Sequence, residues 1–270
     1  MENQFEAILN ELRAELKLRG SSNFTIRNYS WFIRKFLTTS NKKIEELNEQ
    51  DAKNFLASLL EKSQSTIALA AASLKFFFSE ILKKPITLKL PKKEKKLPEV
   101  LTKEEVKKLI ESAETKKSKL IIKLLYSTGM RVSELVNLKC NDIDLQERIG
   151  WIRKGKGKKD RIFILPEKLI KELEPYVKEP GRQYLLSREK PLTTRNIQKI
   201  IKLAAKKAGI NKKVTPHCLR HSFATHLLDS GTDIRKIQAL LGHESLSTTQ
   251  LYTHLTTEEL KKVKNPLDEL

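Results

Sequence analysis

Residues 215–231 read TPHCLRHSFATHLLDSG, a stretch that predicts one α-helix with a signal at each end. Thr215 is a typical N-cap, Pro216 suits the first helical position, and Gly231 ends the last turn. His217 and Arg220 are three residues apart, so they share a face near the helix N-terminus. Because free N–H groups and the helix dipole attract phosphate there, the pair is a candidate phosphate clamp. The alternative is a capping or packed histidine beside a surface arginine.

The residues around this helix predict a mainly helical unit with one small antiparallel sheet. A capping box at 102–105 opens it. Further helices are predicted from about 119 to Gly129, from 131, from Pro166, over 194–208, over 232–241 up to Gly242, from 247 and from 256. Short strands are predicted at 142–145, 149–153 and 161–165, with a turn between the last two.

The first third of the chain predicts four amphipathic helices. Apolar residues recur at helical spacing in four stripes, which we interpret as core: Phe5–Leu16, Ile26–Leu37, Ala52–Leu60 and Ile67–Ile81. Residues 84–98 predict a linker, because two prolines bracket a lysine run there. The predicted organisation is a helical unit over 1–83, the linker over 84–98, and a second unit from 99 onward.

The charge balance indicates a polyanionic partner. The 270 residues carry 53 Lys and Arg against 33 Asp and Glu, a formal net charge of +20, and most of the excess lies in the linker and second unit. Nucleic acid explains this imbalance best, and the alternative is the highly charged surface of a thermophile protein. The 39% hydrophobic content supports folded cores.

Several protein classes are disfavoured by composition. No apolar run reaches the roughly 18 residues of a membrane span, and the polar N-terminus does not resemble a signal peptide. The two cysteines, Cys140 and Cys218, form no CxxC pair, which argues against a disulfide framework and a zinc finger. We therefore expect an intracellular, cytoplasmic protein with no membrane partner.

The predicted strand turn and the linker supply candidate contacts to a phosphate backbone. The turn sequence KGKGKKD over 154–160 places Lys156 between two glycines, which let a backbone approach a partner closely. An ordinary solvated hairpin tip is the alternative. The candidate DNA contacts are Arg153, Lys154, Lys158, Lys159 and Arg161 around the turn, and Lys92, Lys93, Lys95 and Lys96 in the linker.

Four further residues gain meaning only in combination. Arg131 begins a predicted helix, and Glu134 one turn later is placed to orient its guanidinium, unless the two form a common surface ion pair. His243 and Tyr252, each taken alone, fit a helix cap and a core residue. Two arginines, two histidines, a lysine and a tyrosine in a basic unit fit phosphoryl transfer with a tyrosine nucleophile. No acidic cluster suggests a two-metal nuclease site.

The order Arg131, Lys156, His217-x-x-Arg220, His243, Tyr252 closely resembles the tyrosine recombinase (phage integrase) family. The stretches TGMRVSEL (128–135), PHCLRHSFATHLL (216–228) and LGHESLSTTQLYTH (241–254) are similar to the Xer subgroup, and an archaeal Xer protein is one candidate. The four-helix unit, the linker and the length match the subgroup in type. All six positions are present.

The resemblance implies a mainly α tyrosine recombinase fold and a role for each residue. Tyr252 attacks a DNA phosphodiester and forms a 3′-phosphotyrosyl bond, while Arg131 and Arg220 hold the non-bridging oxygens. Lys156 protonates the leaving 5′-oxygen. The resemblance gives His217 proton movement at the nucleophile and His243 a hydrogen bond to the phosphate. Neither metal, ATP nor another cofactor is expected, because the covalent intermediate conserves the bond energy.

The resemblance also implies an assembly on DNA. It assigns residues 1–83 to core-site DNA binding, 99–255 to catalysis and 256–270 to a tail that docks on a neighbouring protomer. Leu260, Val263, Pro266 and Leu267 are the candidate anchors, unless they close the core of their own domain. Four protomers act on two DNA duplexes that carry a specific recombination site. Without DNA, the protein is expected to be either a monomer or a dimer. A DNA translocase is a further candidate partner.

Three functions are compatible with the sequence. The first is a recombinase that resolves chromosome dimers before the chromosomes segregate at cell division. The second is a mobile-element integrase with the same chemistry. The third belongs to another class: an architectural DNA-binding protein whose tyrosine is inert.

Overall fold

The computed structural model describes residues 2–90, 99–153, 160–242, 263 and 265–268. The chain divides into two compact units, Met1–Lys96 and Leu97–Leu270, and the boundary falls inside the predicted linker. No helix in the described ranges is long and apolar enough to cross a membrane. The helices predicted from 247 and from 256 lie outside the described residues.

The N-terminal unit contains the four predicted helices. They are α1 (Glu2–Leu18), α2 (Asn23–Ser40), α3 (Glu49–Ala57) and α4 (Gln64–Phe76), and α4 continues into one π-helical turn, Phe77–Ile81. Each predicted stripe supplies buried residues, with Phe36 at the centre of an aromatic cluster. Its ring centroid lies 5.6 Å from Phe55 and 5.9 Å from Phe78. Helical periodicity therefore predicted this core correctly.

The C-terminal unit is helical around one three-stranded antiparallel sheet. Its helices are α5 (Lys103–Glu111), α6 (Lys116–Thr128), α7 (Val132–Asn137), α8 (Glu167–Val177), α9 (Thr194–Lys207), α10 (Pro216–Asp229) and α11 (Ile234–Leu241). The strands β1 (Ile143–Asp144), β2 (Ile149–Ile152) and β3 (Arg161–Ile164) lie in that order. The mainly helical fold with a small antiparallel sheet is confirmed.

Local side-chain caps move two helix starts from their predicted positions. α6 begins at Lys116 rather than near 119, because the Thr115 hydroxyl accepts a hydrogen bond from the backbone N–H of Ser118. α11 begins at Ile234 rather than 232, because Asp233 accepts from the N–H of Arg235 at 2.7 Å. The Thr102 capping box and the glycine stops occur as predicted.

α6 and α10 pack against each other and form the centre of the C-terminal unit. Eight residues of α6 are buried, and α10 contributes Leu219, Phe223 and Leu227 to the same core. The Tyr126 hydroxyl meets Nδ1 of His226 at 2.8 Å between the two helices, so these buried polar groups are paired.

The described part of the tail closes the core of its own chain. Leu267 is 4% exposed and belongs to the C-terminal core, and Val263 packs against it. The Asn265 amide donates to the Ser127 carbonyl at 2.7 Å. Val263 and Leu267 thus contribute to the core of their own chain here, and docking of the tail on a neighbouring protomer stays a prediction. Leu260 lies outside the described residues.

Replacing Gly129 by Ala should destabilise the protein more than the same change at Gly209. Both glycines follow a helix with φ near +60° (+58° and +64°), so alanine is strained at either position. A Cβ at Gly129 would also lie 2.5 Å from Phe223 and 2.6 Å from Leu241, whereas Gly209 has nothing within 4 Å. We expect a loss of about 2–4 kcal/mol for Gly129→Ala and about 1 kcal/mol for Gly209→Ala by chemical denaturation. Equal losses would contradict this packing.

Candidate active site

Arg131 and Arg220 are brought together by the end of α6. The chain leaves α6 at Gly129 in the left-handed conformation, and Arg131 then occupies the N-cap position of α7. Arg220, in the second turn of α10, is 4% exposed and donates to the carbonyl of Gly129 and, at 2.7 Å, to that of Leu241. The guanidinium of Arg220 therefore lies inside the fold, held by backbone on both sides.

Glu134 orients Arg131 and is not part of a surface ion pair. Its Oε1 accepts from Nη1 of Arg131 at 2.8 Å, and its Oε2 accepts from the Arg131 backbone N–H at 2.8 Å. The Glu134 side chain is only 6% exposed. Burial favours a higher pKa for this carboxyl, but Arg161 and the hydrogen bonds from Arg131 outweigh burial and hold the pKa below its ordinary value. A permanently ionised carboxylate thus fixes one side of the Arg131 guanidinium.

Arg161 occupies a different place from the one predicted. The sequence places it among the DNA contacts of the hairpin, but its side chain is 9% exposed. Its Nη2 donates to Oε2 of Glu134 at 2.6 Å, and its Nη1 donates to the Leu240 carbonyl at 2.6 Å. Arg161 therefore belongs to the buried arginine cluster and not to the exposed hairpin surface, where the sequence analysis placed it as a DNA contact.

The C-terminal end of α11 collects the three arginines. Arg161 donates to the carbonyl of Leu240, Arg220 to that of Leu241, and Arg131 to that of Gly242 at 3.3 Å, its longest bond here. The last carbonyls of a helix have no partner within the helix, and they carry the negative end of its dipole. Cations at this end of a helix are stabilised, so the three consecutive carbonyls attract and orient the three guanidinium groups.

The cluster has an excess of positive charge. Burial first, and then the neighbouring Arg131 and Arg161, lower the pKa of Arg220 from 12.5 to about 9, so it is still a cation at neutral pH. Glu134 forms ion pairs with two of the three arginines, Arg131 and Arg161. Arg131 keeps 29% of its side chain exposed. The arrangement is suited to receive an anion beside Arg131, with donors already oriented.

His217 is exposed in the first turn of α10, as its predicted position requires. Thr215 caps this helix by accepting from the N–H of Cys218 at 3.1 Å, and Pro216 is its first residue. Nε2 of His217 lies 3.1 Å from Nε2 of His221, so one ring donates a hydrogen to the other. Burial, followed by the charges of His217 and Arg220, lowers the pKa of His221. His221 was missed from sequence, although its spacing of four from His217 is a helical contact.

The strand hairpin carries one described candidate DNA contact. Arg153 directly follows β2, and its side chain is 62% exposed. Its Nε donates to Asp142 at 2.7 Å, which leaves its outer nitrogens toward solvent. The remaining predicted site residues lie outside the described residues: Lys92, Lys93, Lys95, Lys96, Lys154, Lys156, Lys158, Lys159, His243 and Tyr252.

A basic helix face was missed in the sequence analysis. Helix α9 contains no acidic residue, and four of its basic side chains are exposed at spacings of four, three and four: Arg195, Lys199, Lys202 and Lys206. In the described part of the chain, none of these four forms an ion pair. Helix α9 packs against α7 and α10, the helices that present Arg131 and Arg220. The helical spacing of positive charge was the signal that could have revealed it.

Comparisons with known proteins agree with this geometry. Residues 99–259 match the phage integrase family, and residues 8–88 match the phage integrase N-terminal SAM-like domain. The chain is 45% identical to tyrosine recombinase XerA of Pyrococcus furiosus over 94% of this chain and 92% of that protein. A crystal structure of XerA recombinase is 38% identical, with a TM-score of 0.52, and covers 95% of this chain and 96% of its own.

The fold is also found in a recombinase solved on DNA. XerH bound to difH substrate in a pre-cleavage complex is 28% identical with a TM-score of 0.70, over 97% of this chain and 83% of that one. The matches span both units, the helical one and the one that holds the arginine cluster. This chain therefore belongs to the phage integrase family and is a Xer-type site-specific tyrosine recombinase.

Proposed function

We propose that the arginine cluster binds the DNA phosphodiester that Tyr252 attacks, and that the reaction resolves chromosome dimers at a specific site. The observation that carries this proposal is the orientation of Arg131 and Arg220 by backbone carbonyls and Glu134. Donors fixed in advance stabilise a transition state without reorganisation, and removal of one such donor typically costs about 10²–10³ in rate.

In the proposed step, the Tyr252 oxygen forms a bond to phosphorus and the bond from phosphorus to the 5′-oxygen breaks. The tyrosine proton leaves to His217, and Lys156 supplies a proton to the departing 5′-oxygen, so a 5′-hydroxyl and a 3′-phosphotyrosine result. Arg131 and Arg220 neutralise the charge that builds up on the non-bridging oxygens, and His243 adds a hydrogen bond there. Attack by a partner strand's 5′-hydroxyl reverses the step and joins new ends.

The transfer of charge explains why cations must surround the nucleophile. A tyrosine hydroxyl has a pKa near 10, so it is a weak nucleophile at neutral pH unless a base or positive groups assist it. The His217–His221 pair presents ring nitrogens 3.1 Å apart. Burial and the charges of His217 and Arg220 lower the pKa of His221. In the proposed step, His217 is the base that accepts the tyrosine proton.

We propose that the duplex backbone is held by the hairpin, the linker and α9. The exposed basic face of α9 and the outer nitrogens of Arg153 belong to the same unit as the arginine cluster. Lysines of the linker and the hairpin tip add to these contacts, and residues 1–83 bind the duplex as the helical DNA-binding unit. XerH bound to its difH substrate supports the DNA partner. Four protomers acting on two duplexes in the cytoplasm complete the proposal.

The first test is covalent adduct formation on a nicked suicide duplex carrying a candidate chromosomal resolution site. With EDTA present and ATP absent, we expect a protein–DNA adduct on a denaturing gel, and none from Tyr252→Phe. The nick lets the cleaved fragment diffuse away, so the intermediate accumulates. If the protein forms no adduct on any genomic fragment that it binds tightly, the recombinase chemistry is wrong and an architectural DNA-binding role replaces it.

The second test asks whether the cluster binds an anion without DNA. At equal ionic strength, millimolar sulfate should raise the melting temperature more than chloride does, because it binds the folded state. At ten times its Kd the gain is about 1.4 kcal/mol. Arg131→Ala should abolish the difference, whereas Arg188→Ala, a change at a side chain 76% exposed, should preserve it. The same sulfate response in both variants would place the anion elsewhere.

The third test measures the contribution of α9 to DNA affinity. Replacing Arg195, Lys199 and Lys202 by Gln should weaken binding to a nonspecific duplex. The plot of the logarithm of the association constant against the logarithm of the salt concentration should also become shallower by about 2–3, because each phosphate contact contributes about 0.9 to its slope. A matched triple change at the exposed Lys178, Arg188 and Lys190 removes the same charge. If both triple variants show the same slope, α9 makes no direct contacts to DNA phosphates, and the loss of affinity reflects only the lower net charge of the protein.

A further inference from the structure

Arg161 connects three parts of the C-terminal unit that the proposed chemistry uses. It is the first residue of β3, where the hairpin strand returns, and its guanidinium reaches both α7 and the end of α11. The partners are Oε2 of Glu134 and the Leu240 carbonyl, each at 2.6 Å. They lie 27 residues earlier and 79 residues later in the chain.

Gly242 and Arg161 approach each other closely. A Cβ at Gly242 would lie 2.6 Å from Cδ of Arg161 and 3.1 Å from its Nε. The residue at this position must therefore be glycine, both for space and for its φ of +62°. Because Gly242 also accepts the bond from Arg131, Arg161 packs directly against the backbone that orients Arg131.

The burial of Arg161 is energetically unfavourable for a residue with a purely structural role. Its Nε is buried and has no hydrogen-bond partner among the described residues. Burial also lowers its pKa, although Glu134 opposes that shift. Replacing a buried ion pair by apolar residues is often neutral or stabilising. A buried arginine with one unpaired N–H is thus better explained by what it does to Glu134 than by packing.

We propose that Arg161 is a positioning residue that acts on the scissile phosphate through Glu134 and Arg131. The inference rests on the proposed function of the arginine cluster. The carboxylate of Glu134 has two oxygens: Oε2 accepts from Arg161 and from the Arg131 backbone N–H, and Oε1 accepts from Nη1 of Arg131. Arg161 thereby helps to keep Oε2 away from the Arg131 guanidinium. Without Arg161, the carboxylate turns both oxygens to Arg131 and draws that guanidinium away from the place of the phosphate.

The functional test compares two DNA backbones. Arg161→Gln should slow adduct formation about 10–100-fold on the normal phosphodiester, because a donor to the transition state is misplaced rather than removed. On a duplex with a methylphosphonate at the scissile position, the loss should shrink to about 3-fold or less, since the uncharged phosphorus needs less neutralisation. Arg131→Ala gives the reference ratio of losses on the two duplexes for a variant that lacks the donor itself. Arg188→Gln is the control for the loss of an exposed arginine.

A double-variant cycle tests the route through Glu134. If Arg161 acts through this carboxylate, Glu134→Gln together with Arg161→Gln should be no slower than the slower single variant, within about 3-fold, because the two act as one unit. The proposal is overturned if Arg161→Gln slows adduct formation equally on the phosphodiester and the methylphosphonate duplex. It is also overturned if the rate losses of the two single variants multiply in the double variant. If Arg161→Gln does not fold, Arg161→Lys replaces it: lysine keeps the charge but cannot donate to Glu134 and Leu240 as a planar fork.

An NMR measurement without DNA separates this inference from the proposed function. The Nε resonance of Arg131, assigned by its loss in Arg131→Lys, should report a rigid guanidinium in the parent protein. In Arg161→Gln the heteronuclear NOE of that resonance should fall, and in Arg188→Gln it should not. Should Arg131 stay as rigid in Arg161→Gln, Arg161 does not position it, whatever the adduct assay gives. Absence of an adduct in the parent protein, by contrast, overturns only the function.

Discussion

Three consecutive backbone carbonyls at the end of α11 hold the arginine cluster together. Guanidinium groups repel one another, and repulsion between unit charges a few ångströms apart is several kcal/mol where water is partly excluded. The carbonyls of Leu240, Leu241 and Gly242 offset it because they are unpaired within the helix and carry its negative dipole end. The backbone of α11 thereby binds the arginine cluster, while the side chains of Leu240 and Leu241 pack in the core.

The same arrangement explains why the cluster favours an anion. Glu134 neutralises part of the charge, while burial and then the neighbouring Arg131 and Arg161 lower the pKa of Arg220 to about 9. In the proposed function, a phosphodiester beside Arg131 supplies negative charge that the cluster lacks. The packed helices α6 and α10 hold the backbone around Gly129 and Arg220 in place.

Glu134 and Arg161 show how a reactive residue depends on others that never meet the substrate. Arg131 is the exposed member, and its orientation is set by a buried carboxylate and, through it, by a buried arginine on another element. Residues held by packing and hydrogen bonds give a site the precision that a surface loop lacks. The tail has a comparable supporting role in this structure, because Asn265 and Leu267 close the core beside the end of α6.

The sequence by itself determined the family, the helices of the described residues and, apart from the starts of α6 and α11, where those helices begin and end. Apolar periodicity, caps such as Thr102 and Thr215, and glycine stops act over a few residues, so they can be read without the fold. The motif around His217 and Arg220 led to the recombinase family for the same reason. Only the tertiary structure decided the position of Arg161, the double role of Glu134 and the docking of Leu267. Their partners are far away in sequence, and a charged side chain in a short strand has no local signal for whether it faces solvent or a carboxylate.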